Sequence, residues 1–370
     1  MNVVVAMSGG VDSSVAAALL KEEGYNIIGV TMQIWPPDKD VAGDFGGCCG
    51  AGAVEDARRV AYKLGIPHYV MNFRDNFAQK VIADFCREYS HGRTPNPCIR
   101  CNQYIKFDAL LEKAKRLGAD FIATGHHARI ERDENTGTCL LKKGADPQKD
   151  QSYFLYPLTR EQLARSLMPV GNFTKAQIRA IAGELGLPVA NKPESQEICF
   201  VPGDDYPNFL KDYIPQAAEP GPIVDEAGKI LGRHRGILFY TIGQRQGLGI
   251  AAPEPLYVTA IETERNTIVV GGKEKTYSTE LVASGLNWIT TEPDEPITVK
   301  ARIRYRHPEA EAEVFPLNDT SVYVKFAEPQ MAITPGQAIV FYDGDTIIGG
   351  GTIEKMRRQS LIYGLSSCRL

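Results

Sequence analysis

A glycine-rich stretch near the start of the chain has the composition of an anion-binding loop. It is formed by Ala6, Met7, Ser8, Gly9, Gly10, Val11, Asp12 and Ser13, which lie between two apolar runs. That order predicts a strand, a loop and a helix, and the glycines let the backbone approach a ligand closely. The N–H groups at the helix start would face the same point. The stretch therefore predicts a phosphate-binding loop, which is not of the Walker A type because no Gly-Lys-Ser/Thr follows.

Three cysteines lie in polar or proline-bearing segments and are candidates for chemistry. Cys98 and Cys101 form a C-x-x-C pair, which we expect in a loop before a helix, and Cys199 lies in a separate polar segment. Such a pair is typical of a redox site, of half a zinc site or of a cluster site. For zinc, the fourth ligand could come from Cys48, Cys49 or His126. Three thiolates alone would suit a [4Fe–4S] cluster with one open iron.

The other cysteines predict no chemistry of their own. Cys48 and Cys49 lie in the glycine-rich stretch 43–52, and we interpret them as incidental thiols of a flexible loop, with a redox role left open. Cys86, Cys139 and Cys368 lie in helix, strand and tail contexts and are interpreted as structural.

Alternating elements would position these groups in the first half of the chain. We predict strands over residues 3–6, 27–33, 68–72 and 121–124, and helices over 13–23, 54–64, 76–89 and 107–117. Gly24, Gly65 and Gly118 follow three of the helices, as C-terminal caps do. This alternation predicts an α/β domain with a parallel sheet covered by helices on both faces.

Ligands of such sheets bind at the carboxyl ends of the strands. The glycine-rich loop, Met32 and the run Thr124-Gly125-His126-His127 would all lie at that edge. Met32 either packs against an adenine ring or fills a gap in the core, and the spacing does not separate the two.

The second half of the chain has a different pattern. Residues 204–275 are rich in Gly and Pro, with extended runs at 237–242 and 256–261. Later strand patterns cover 298–304, 322–326, 338–342 and 346–349, with a hairpin signal at Asp343-Gly344. These patterns predict a small β-barrel at the end of the chain. We place domains at 1–203, 204–277 and 278–370.

Composition excludes several classes of protein. With 43% hydrophobic and 23% charged residues over 370 positions, the chain is typical of a globular protein of two or three domains. No apolar run approaches the roughly 20 residues that span a bilayer. The first predicted strand begins at Asn2, which leaves no room for a signal peptide. We therefore expect a cytoplasmic protein with no membrane partner.

Any contact with nucleic acid must come from a local patch, because the formal net charge is −4. Lys300, Arg302, Arg304 and Arg306 recur at period two and are predicted to line one strand face, where they would suit a phosphate backbone, together with Arg357 and Arg358. The alternative is a solvated edge strand that is protected by charge.

Six segments together resemble the bacterial tRNA 2-thiouridylase family of the ATP pyrophosphatase superfamily. In order they are S-G-G-V-D-S-S, T-P-N-P-C-I-R-C-N-Q-Y-I-K-F, T-G-H-H-A, K-D-Q-S-Y-F-L, S-Q-E-I-C-F and F-Y-T-I-G-Q-R-Q-G-L-G. The two cysteine segments separate that family from the rest of the superfamily. The resemblance implies a parallel-sheet ATP-pyrophosphatase (adenine nucleotide alpha hydrolase-like) domain, a small central α+β domain and a C-terminal β-barrel that binds tRNA.

The resemblance also implies an activity, that of a tRNA-uridine 2-sulfurtransferase. ATP would adenylate the C2 carbonyl oxygen of the wobble uridine, and sulfur would then attack the carbon to give 2-thiouridine, AMP and pyrophosphate. The implied cofactors are ATP and Mg²⁺, with Asp12 beside the metal ion. The implied partners are tRNA and a sulfur donor, which is a cysteine desulfurase, a sulfur carrier protein or inorganic sulfide.

Roles for single residues follow from the same resemblance. Cys101 matches the family's nucleophile and Cys199 its persulfide carrier. Residues that match ATP contacts are Ala6, Met7, Ser8, Gly9, Gly10, Val11, Asp12, Ser13, Met32 and Gly125. Residues that match tRNA contacts are Asn96, Pro97, Cys98, His126, Lys149, Asp150, Gln151, Arg304, Tyr305 and Gln337.

Cys98 departs from the better-studied branch of the family, which has an aspartate at this position. In that branch the other two cysteines cycle between persulfide and disulfide. A third thiol opens a second route, in which Cys98, Cys101 and Cys199 hold a [4Fe–4S] cluster whose free iron binds sulfide.

Two rival functions lack part of this pattern. Another ATP-pyrophosphatase synthetase would not need the three cysteines, and a non-catalytic, cluster-bearing RNA-binding protein would not need the intact phosphate loop.

Overall fold

A computed structural model of the chain describes residues 1–34, 51–133, 137–193, 198–201, 203 and 205–354. Cys48, Cys49, Cys368, Arg357, Arg358 and residues 195–197 lie outside the described residues. The chain divides into two compact units. The first contains Met1–Ala83, Pro97–Asp205 and Asp345–Ile347, and the second contains Asp84–Asn96, Tyr206–Gly344 and the described residues from Ile348 onward.

The strands of the first unit confirm the predicted parallel sheet. They are β1 (Asn2–Ala6), β2 (Asn26–Gln33), β3 (His68–Asn72), β4 (Phe121–Ala123), β5 (Ala128–Arg132), β6 (Cys139–Lys143) and β7 (Ser166–Leu167). The sheet has the order β3-β2-β1-β4-β7, and each of these pairings is parallel. β5 and β6 pair antiparallel with each other outside this parallel sheet, and the sequence patterns did not predict them.

The helices of the first unit are α1 (Val11–Glu22), α2 (Ala51–Leu64), α3 (Arg74–Phe77), α5 (Pro97–Cys101), α6 (Leu110–Arg116), α7 (Arg160–Ala164) and α8 (Lys175–Glu184), and α1, α2, α6 and α7 contact the strands of this sheet. From Asp84 on, α4 (Ala83–Ser90) belongs to the second unit. Gly24, Gly65 and Gly118 have positive φ angles after α1, α2 and α6, as predicted for C-terminal caps. Val15, Ala16 and other small or branched side chains of α1 are buried against the sheet.

The prediction that Cys98 and Cys101 lie in a loop is wrong, because both belong to α5. A π-helical segment, Asn102–Ala109, joins α5 to α6, so the helix predicted over 107–117 begins ten residues earlier. Pro97 is the first residue of α5, where its missing N–H costs nothing and its fixed φ suits the helix. The prolines that resemble loop signals therefore mark a helix start.

The second unit contains a small sheet and a barrel. The sheet follows α9 (Tyr206–Lys211) and consists of β8 (Gly221–Val224), β9 (Ile230–His234), β10 (Tyr257–Glu262) and β11 (Thr267–Gly271), in the order β10-β11-β8-β9. β10 confirms the run predicted at 256–261. The extended run predicted at 237–242 is wrong, because Gly236 (φ +132°) turns the chain into a buried 3₁₀ turn at Ile237–Phe239.

The predicted barrel is confirmed, and it is closed. Its strands are β12 (Tyr277–Trp288), β13 (Ile297–Arg302), β14 (Ala310–Asn318), β15 (Ser321–Met331), β16 (Ala338–Asp343) and β17 (Thr346–Ile353). They follow the order β12-β15-β14-β13-β16-β17, and β12 pairs again with β17. Val299, Ala301, Val324 and Phe341 are buried and belong to the hydrophobic core of the barrel. Gly344 (φ +58°) forms the predicted turn. No helix of the described chain has the length and apolarity of a membrane span.

Gly125, just after β4, packs directly against the first turn of α1. A Cβ atom built on Gly125 would lie 2.5 Å from the Ser13 N atom and 2.6 Å from the Asp12 C atom. Only glycine allows this approach of two backbones, which fixes the phosphate loop against the end of β4.

We expect Gly125→Ala to lower the free energy of unfolding by about 1–3 kcal/mol, because the added methyl group overpacks the backbone of α1. The measurement is urea unfolding. Gly183→Ala is the matched control, since a Cβ atom added at this position of α8 would have no neighbour within 4 Å. The control should stabilise by about 0.5–1 kcal/mol. Equal behaviour of the two variants would contradict the packing argument.

Candidate active site

The phosphate loop leaves β1 and enters α1 through two glycines. Gly9 has φ +68°, in the left-handed region, and a Cβ atom there would lie 2.2 Å from the Ala53 carbonyl oxygen of α2. Both the backbone conformation and the close approach therefore require glycine at position 9. Gly10 is the N-cap of α1 and supplies no side-chain cap, so the first N–H groups of the helix remain available to an anion.

Serine hydroxyls hold the loop in shape. Ser13 Oγ and Ser14 Oγ donate to the Gly10 carbonyl oxygen over 3.2 and 2.8 Å, and the Ser8 N–H donates to Ser13 Oγ over 3.2 Å. The Ser13 and Ser14 side chains are buried, so these bonds form part of the core rather than the surface. The loop is thus preformed, and no large rearrangement is needed to present its N–H groups.

Asp12 is the only loop side chain with a charge, and two basic residues contact it. Lys175 Nζ lies 2.7 Å from both Asp12 carboxylate oxygens, and His127 Nε2 lies 3.2 Å from Oδ1. Burial would raise the pKa of Asp12, but the hydrogen bonds from His127 and Lys175 outweigh it and hold the pKa below its ordinary value. Asp12 is therefore ionised throughout the neutral range.

Sequence reasoning missed two lysines that contact the loop. Lys175 is the first residue of α8, and Lys192 Nζ lies 3.0 Å from the Gly9 carbonyl oxygen and 2.6 Å from Asp56 Oδ2. The only local signal was a capping box at Thr174 and Gln177, which would have placed Lys175 in a first helical turn. Nothing in the sequence near Lys192 indicates its partners.

The run after β4 packs beside the loop. His126 Nδ1 lies 2.7 Å from Thr124 Oγ1, and its Nε2 lies 3.4 Å from Lys106 Nζ. Burial, together with Lys106 and His127, lowers the pKa of His126 well below its ordinary value. The ring is therefore neutral. Because an ammonium can only donate, Nε2 accepts from Lys106, and Nδ1 donates to Thr124.

Gln151 holds the main chain of His127 from both sides. Gln151 Oε1 accepts from the His127 N–H over 2.9 Å, and the Gln151 N–H donates to the His127 carbonyl over 2.8 Å. Asp150 is 4% exposed, and its Oδ1 accepts from the N–H groups of Gly144 and Ser152. The predicted tRNA contacts of His126, Lys149, Asp150 and Gln151 stay predictions, and His126 and Asp150 are buried.

The remaining predicted ATP contacts lie at the same edge of the sheet. Met32, near the end of β2, is 8% exposed, and Met7 is buried with its sulfur against Gly29. Ala6 and Val11 are also buried. An adenine contact by Met32 stays a prediction.

The α5 helix carries two of the three candidate thiols. Cys98 is exposed and Cys101 is partly exposed. Their spacing of three residues places them on the same side of the helix, one turn apart. Cys199 is also partly exposed and precedes Phe200, whose ring packs edge-on against Phe77 with centroids 5.5 Å apart.

The candidate metal ligands are not grouped in the described ranges. Within the described ranges, no group of three or more His, Cys, Asp and Glu residues is placed to hold a metal ion. Cys98, Cys101 and Cys199 thus do not fit a three-thiolate cluster site in this arrangement. The Asp12 carboxylate accepts from Lys175 at both oxygens, and a contact of Asp12 with Mg²⁺ stays a prediction.

The predicted basic stripe in the barrel is wrong. β13 ends at Arg302, and Arg304 and Arg306 lie in the turn beyond it. Arg302 forms a 2.7 Å ion pair with Glu309, and both side chains are about 15% exposed. Lys300 stands opposite Glu311 on β14. Arg304 and Arg306 therefore do not continue the strand face of Lys300 and Arg302, because the strand ends at Arg302.

The predicted RNA contacts of the second unit lie in two places. Arg304 and Tyr305 belong to the turn after β13, where Arg304 donates to the Met331 carbonyl over 3.2 Å. Gln337 Nε2 donates to the Thr94 carbonyl over 2.7 Å, two residues before Asn96. Their contacts with RNA stay predictions.

Comparisons with known proteins place the chain in one family. A family model described as "tRNA methyl transferase HUP domain" matches residues 1–203, one described as "tRNA methyl transferase PRC-barrel domain" matches 207–272, and one described as "Aminomethyltransferase beta-barrel domain" matches 278–353. A solved complex of a 4-thiouridine synthetase with RNA and ATP covers 58% of this chain and 50% of its own, at 18% identity and a TM-score of 0.32, which is too low for a comparison of sites.

Curated relatives are much more similar. The tRNA-specific 2-thiouridylase MnmA of Acetivibrio thermocellus is 56% identical over 95% of this chain and 99% of its own length. The protein of the same name from Heliobacterium modesticaldum is 56% identical over 95% of this chain and 92% of its own. With such identity over nearly the whole length, the chain belongs to the tRNA-specific 2-thiouridylase family.

Proposed function

We propose that this protein is a tRNA-uridine 2-sulfurtransferase that uses ATP to activate the C2 carbonyl of the wobble uridine. A chain of contacts in the first unit carries the proposal. Lys106, five residues after Cys101, lies 3.4 Å from His126, and the next residue, His127, lies 3.2 Å from Asp12 of the phosphate loop. A helix with two thiols is thus packed near a preformed anion site, as consecutive adenylation and sulfur transfer require.

In the first step the C2 oxygen of uridine attacks the α-phosphorus of ATP. The bond to the β-phosphate oxygen breaks, and pyrophosphate leaves. Negative charge grows on the leaving group, and the N–H groups at the start of α1 are oriented to stabilise it. Lys175 keeps the Asp12 carboxylate neutralised, so that it does not repel the phosphates.

In the second step sulfur replaces the activated oxygen. A donor that carries a persulfide first transfers its outer sulfur to the Cys199 thiolate and is left as a thiol. The terminal sulfur of the Cys199 persulfide then attacks C2, and AMP departs with the original oxygen. The Cys101 thiolate then attacks the Cys199 sulfur, so that the sulfur–sulfur bond breaks and 2-thiouridine is released. A disulfide between Cys101 and Cys199 remains, and an external dithiol must reduce it. The structure gives no support for a cluster, so no step is assigned to one.

The tRNA must present its uridine outside the stacked anticodon, as other base-modifying enzymes require. We propose Asn96, Pro97 and Cys98 as contacts of the target base. For the tRNA backbone we propose the turn that carries Arg304 and Tyr305, together with Gln337. Cys98 is exposed on α5, so its thiol can lie beside the target base.

Asp12→Asn should reduce tRNA-dependent pyrophosphate release by roughly 100-fold or more, because Lys175 loses its partner and the loop loses its charge balance. Binding of tRNA should be unchanged. Asp120→Asn is the control, since Asp120 accepts from the Asn2 N–H at the opposite edge of the sheet. Normal turnover by Asp12→Asn would refute the assigned site.

Cys101→Ser and Cys199→Ser should each abolish 2-thiouridine formation while tRNA-dependent pyrophosphate release continues, because adenylation needs no thiol. Mass spectrometry of digested tRNA and a pyrophosphate assay measure the two steps. Cys98→Asp should retain activity, because the better-studied branch of the family has an aspartate at this position. Cys139→Ser in β6 is the control and should also retain activity. Full thiolation by Cys199→Ser would exclude this route.

Arg304→Ala should weaken tRNA binding and lower the slope of log K against log salt by about one unit for each lost phosphate contact. Lys300→Ala should leave the slope unchanged, because Glu311 stands opposite Lys300. Filter binding at several salt concentrations tests both variants, and equal slopes in the wild type and both variants would remove the turn from the RNA interface.

A further inference from the structure

Lys192 is held in place by two sets of contacts. Arg179 of α8 donates to the carbonyl oxygens of Ala190 and Lys192 over 2.8 and 3.1 Å, which anchors the main chain. The Lys192 ammonium then reaches the Gly9 carbonyl oxygen and the Asp56 carboxylate. The side chain is about one-third exposed, at 34%. Lys192 thus contacts the phosphate loop directly, at a main-chain carbonyl oxygen.

The contact with Gly9 determines the direction of one peptide group. In a trans peptide the C=O and the following N–H point in opposite directions, and the described chain has no cis peptide. Because Lys192 binds the Gly9 oxygen, the Gly10 N–H points away from Lys192. Among the described residues the Gly10 N–H has no hydrogen-bond acceptor.

The next peptide group is fixed in the same way by different residues. The Gly10 carbonyl accepts from Ser13 Oγ, from Ser14 Oγ and from the Ser14 N–H. The Val11 N–H therefore points out of the start of α1. Two consecutive N–H groups are thus oriented by contacts to the carbonyl oxygen of the same peptide group. A lysine makes the contact in the first peptide group, and two serines make it in the second. Glycine at position 9 could otherwise rotate, since it has no Cβ to restrict it.

We propose that Lys192 is a positioning residue for the polyphosphate of ATP, which orients the Gly10 N–H toward the phosphate that leaves. This inference rests on the proposed use of ATP. Lys192 acts through the Gly9–Gly10 peptide and does not itself bind the nucleotide. Asp56 neutralises the ammonium and holds it on the carbonyl. Lys192 and Asp56 therefore affect the affinity for ligands that carry the β- and γ-phosphates. They do not affect the affinity for adenosine, which has no phosphate.

Lys192→Met should weaken ATP binding by about tenfold or more, the value of one hydrogen bond to a charged group. The affinity of this variant for adenosine should stay within about twofold of the wild-type value, which is the effect of a neutral surface substitution. Calorimetric titration of the full-length protein with ATP and with adenosine gives both values. Lys192→Arg should recover most of the ATP affinity, because a guanidinium can also donate to the Gly9 oxygen.

Lys21→Met is the matched control, because Lys21 Nζ also donates to a main-chain carbonyl oxygen, that of Leu64, but lies at the C-terminal end of α1. Its ATP affinity should change by no more than about twofold. Unchanged ATP affinity in Lys192→Met, an equal loss for ATP and adenosine, or a similar loss in Lys21→Met would overturn the proposal. So would tighter ATP binding by Asp56→Asn, which would place the ammonium on the phosphate itself. Failure of the wild-type protein to bind ATP would instead contradict the proposed function, and the inference would fall with it.

Discussion

One partly buried carboxylate links three distant stretches of the first unit. Asp12 belongs to the phosphate loop, His127 follows β4, and Lys175 begins α8, 163 residues later in the sequence. Replacing Asp12 would leave the Lys175 ammonium, whose side chain is only 11% exposed, without this counter-charge, which costs more than losing a surface ion pair. The position of α8 and the position of the loop are therefore determined together. Gly125 adds a steric constraint at the same point, since it brings the end of β4 into contact with the backbone of α1.

The thiol-bearing helix depends on the same cluster. Lys106 extends from the π-helical segment to His126, whose neutral ring also bonds Thr124. A π-helical turn widens the helix by one residue and changes the direction of its side chains relative to α5. Cys98 and Cys101 thus lie on a rigid element that is connected to the phosphate loop through side chains, rather than on a loop that would have to fold around a substrate.

Local patterns in the sequence are enough to predict the phosphate loop, the parallel sheet and the barrel, because a glycine-rich loop, an alternation of strands and helices and a series of short strands are each visible along the chain. The thiol pair is wrongly predicted to lie in a loop because prolines such as Pro95 and Pro97 are common both in loops and at helix starts. Lys192 cannot be found from the sequence, since its partner Gly9 is 183 residues away. The prediction of a basic stripe over Lys300, Arg302, Arg304 and Arg306 fails for a related reason. Whether a cation is available to a ligand depends on a partner such as Glu309 of Arg302, and a period of two in the sequence does not reveal that partner.

The discontinuity of the first unit limits how the protein can be dissected. Thr346 and Ile347 of β17 pair with Lys142 and Leu141 of β6, and the Asp345 carbonyl accepts from the Lys143 N–H. These three late residues belong to the first unit even though the family model for that region ends at residue 203. An N-terminal fragment that stops there would leave the outer edge of β6 without its partner strand and Arg129 without the Asp345 carboxylate. An open strand edge of this kind is a template for association between copies, so a soluble catalytic fragment has to keep, or replace, the short strand that arrives from the far end of the chain.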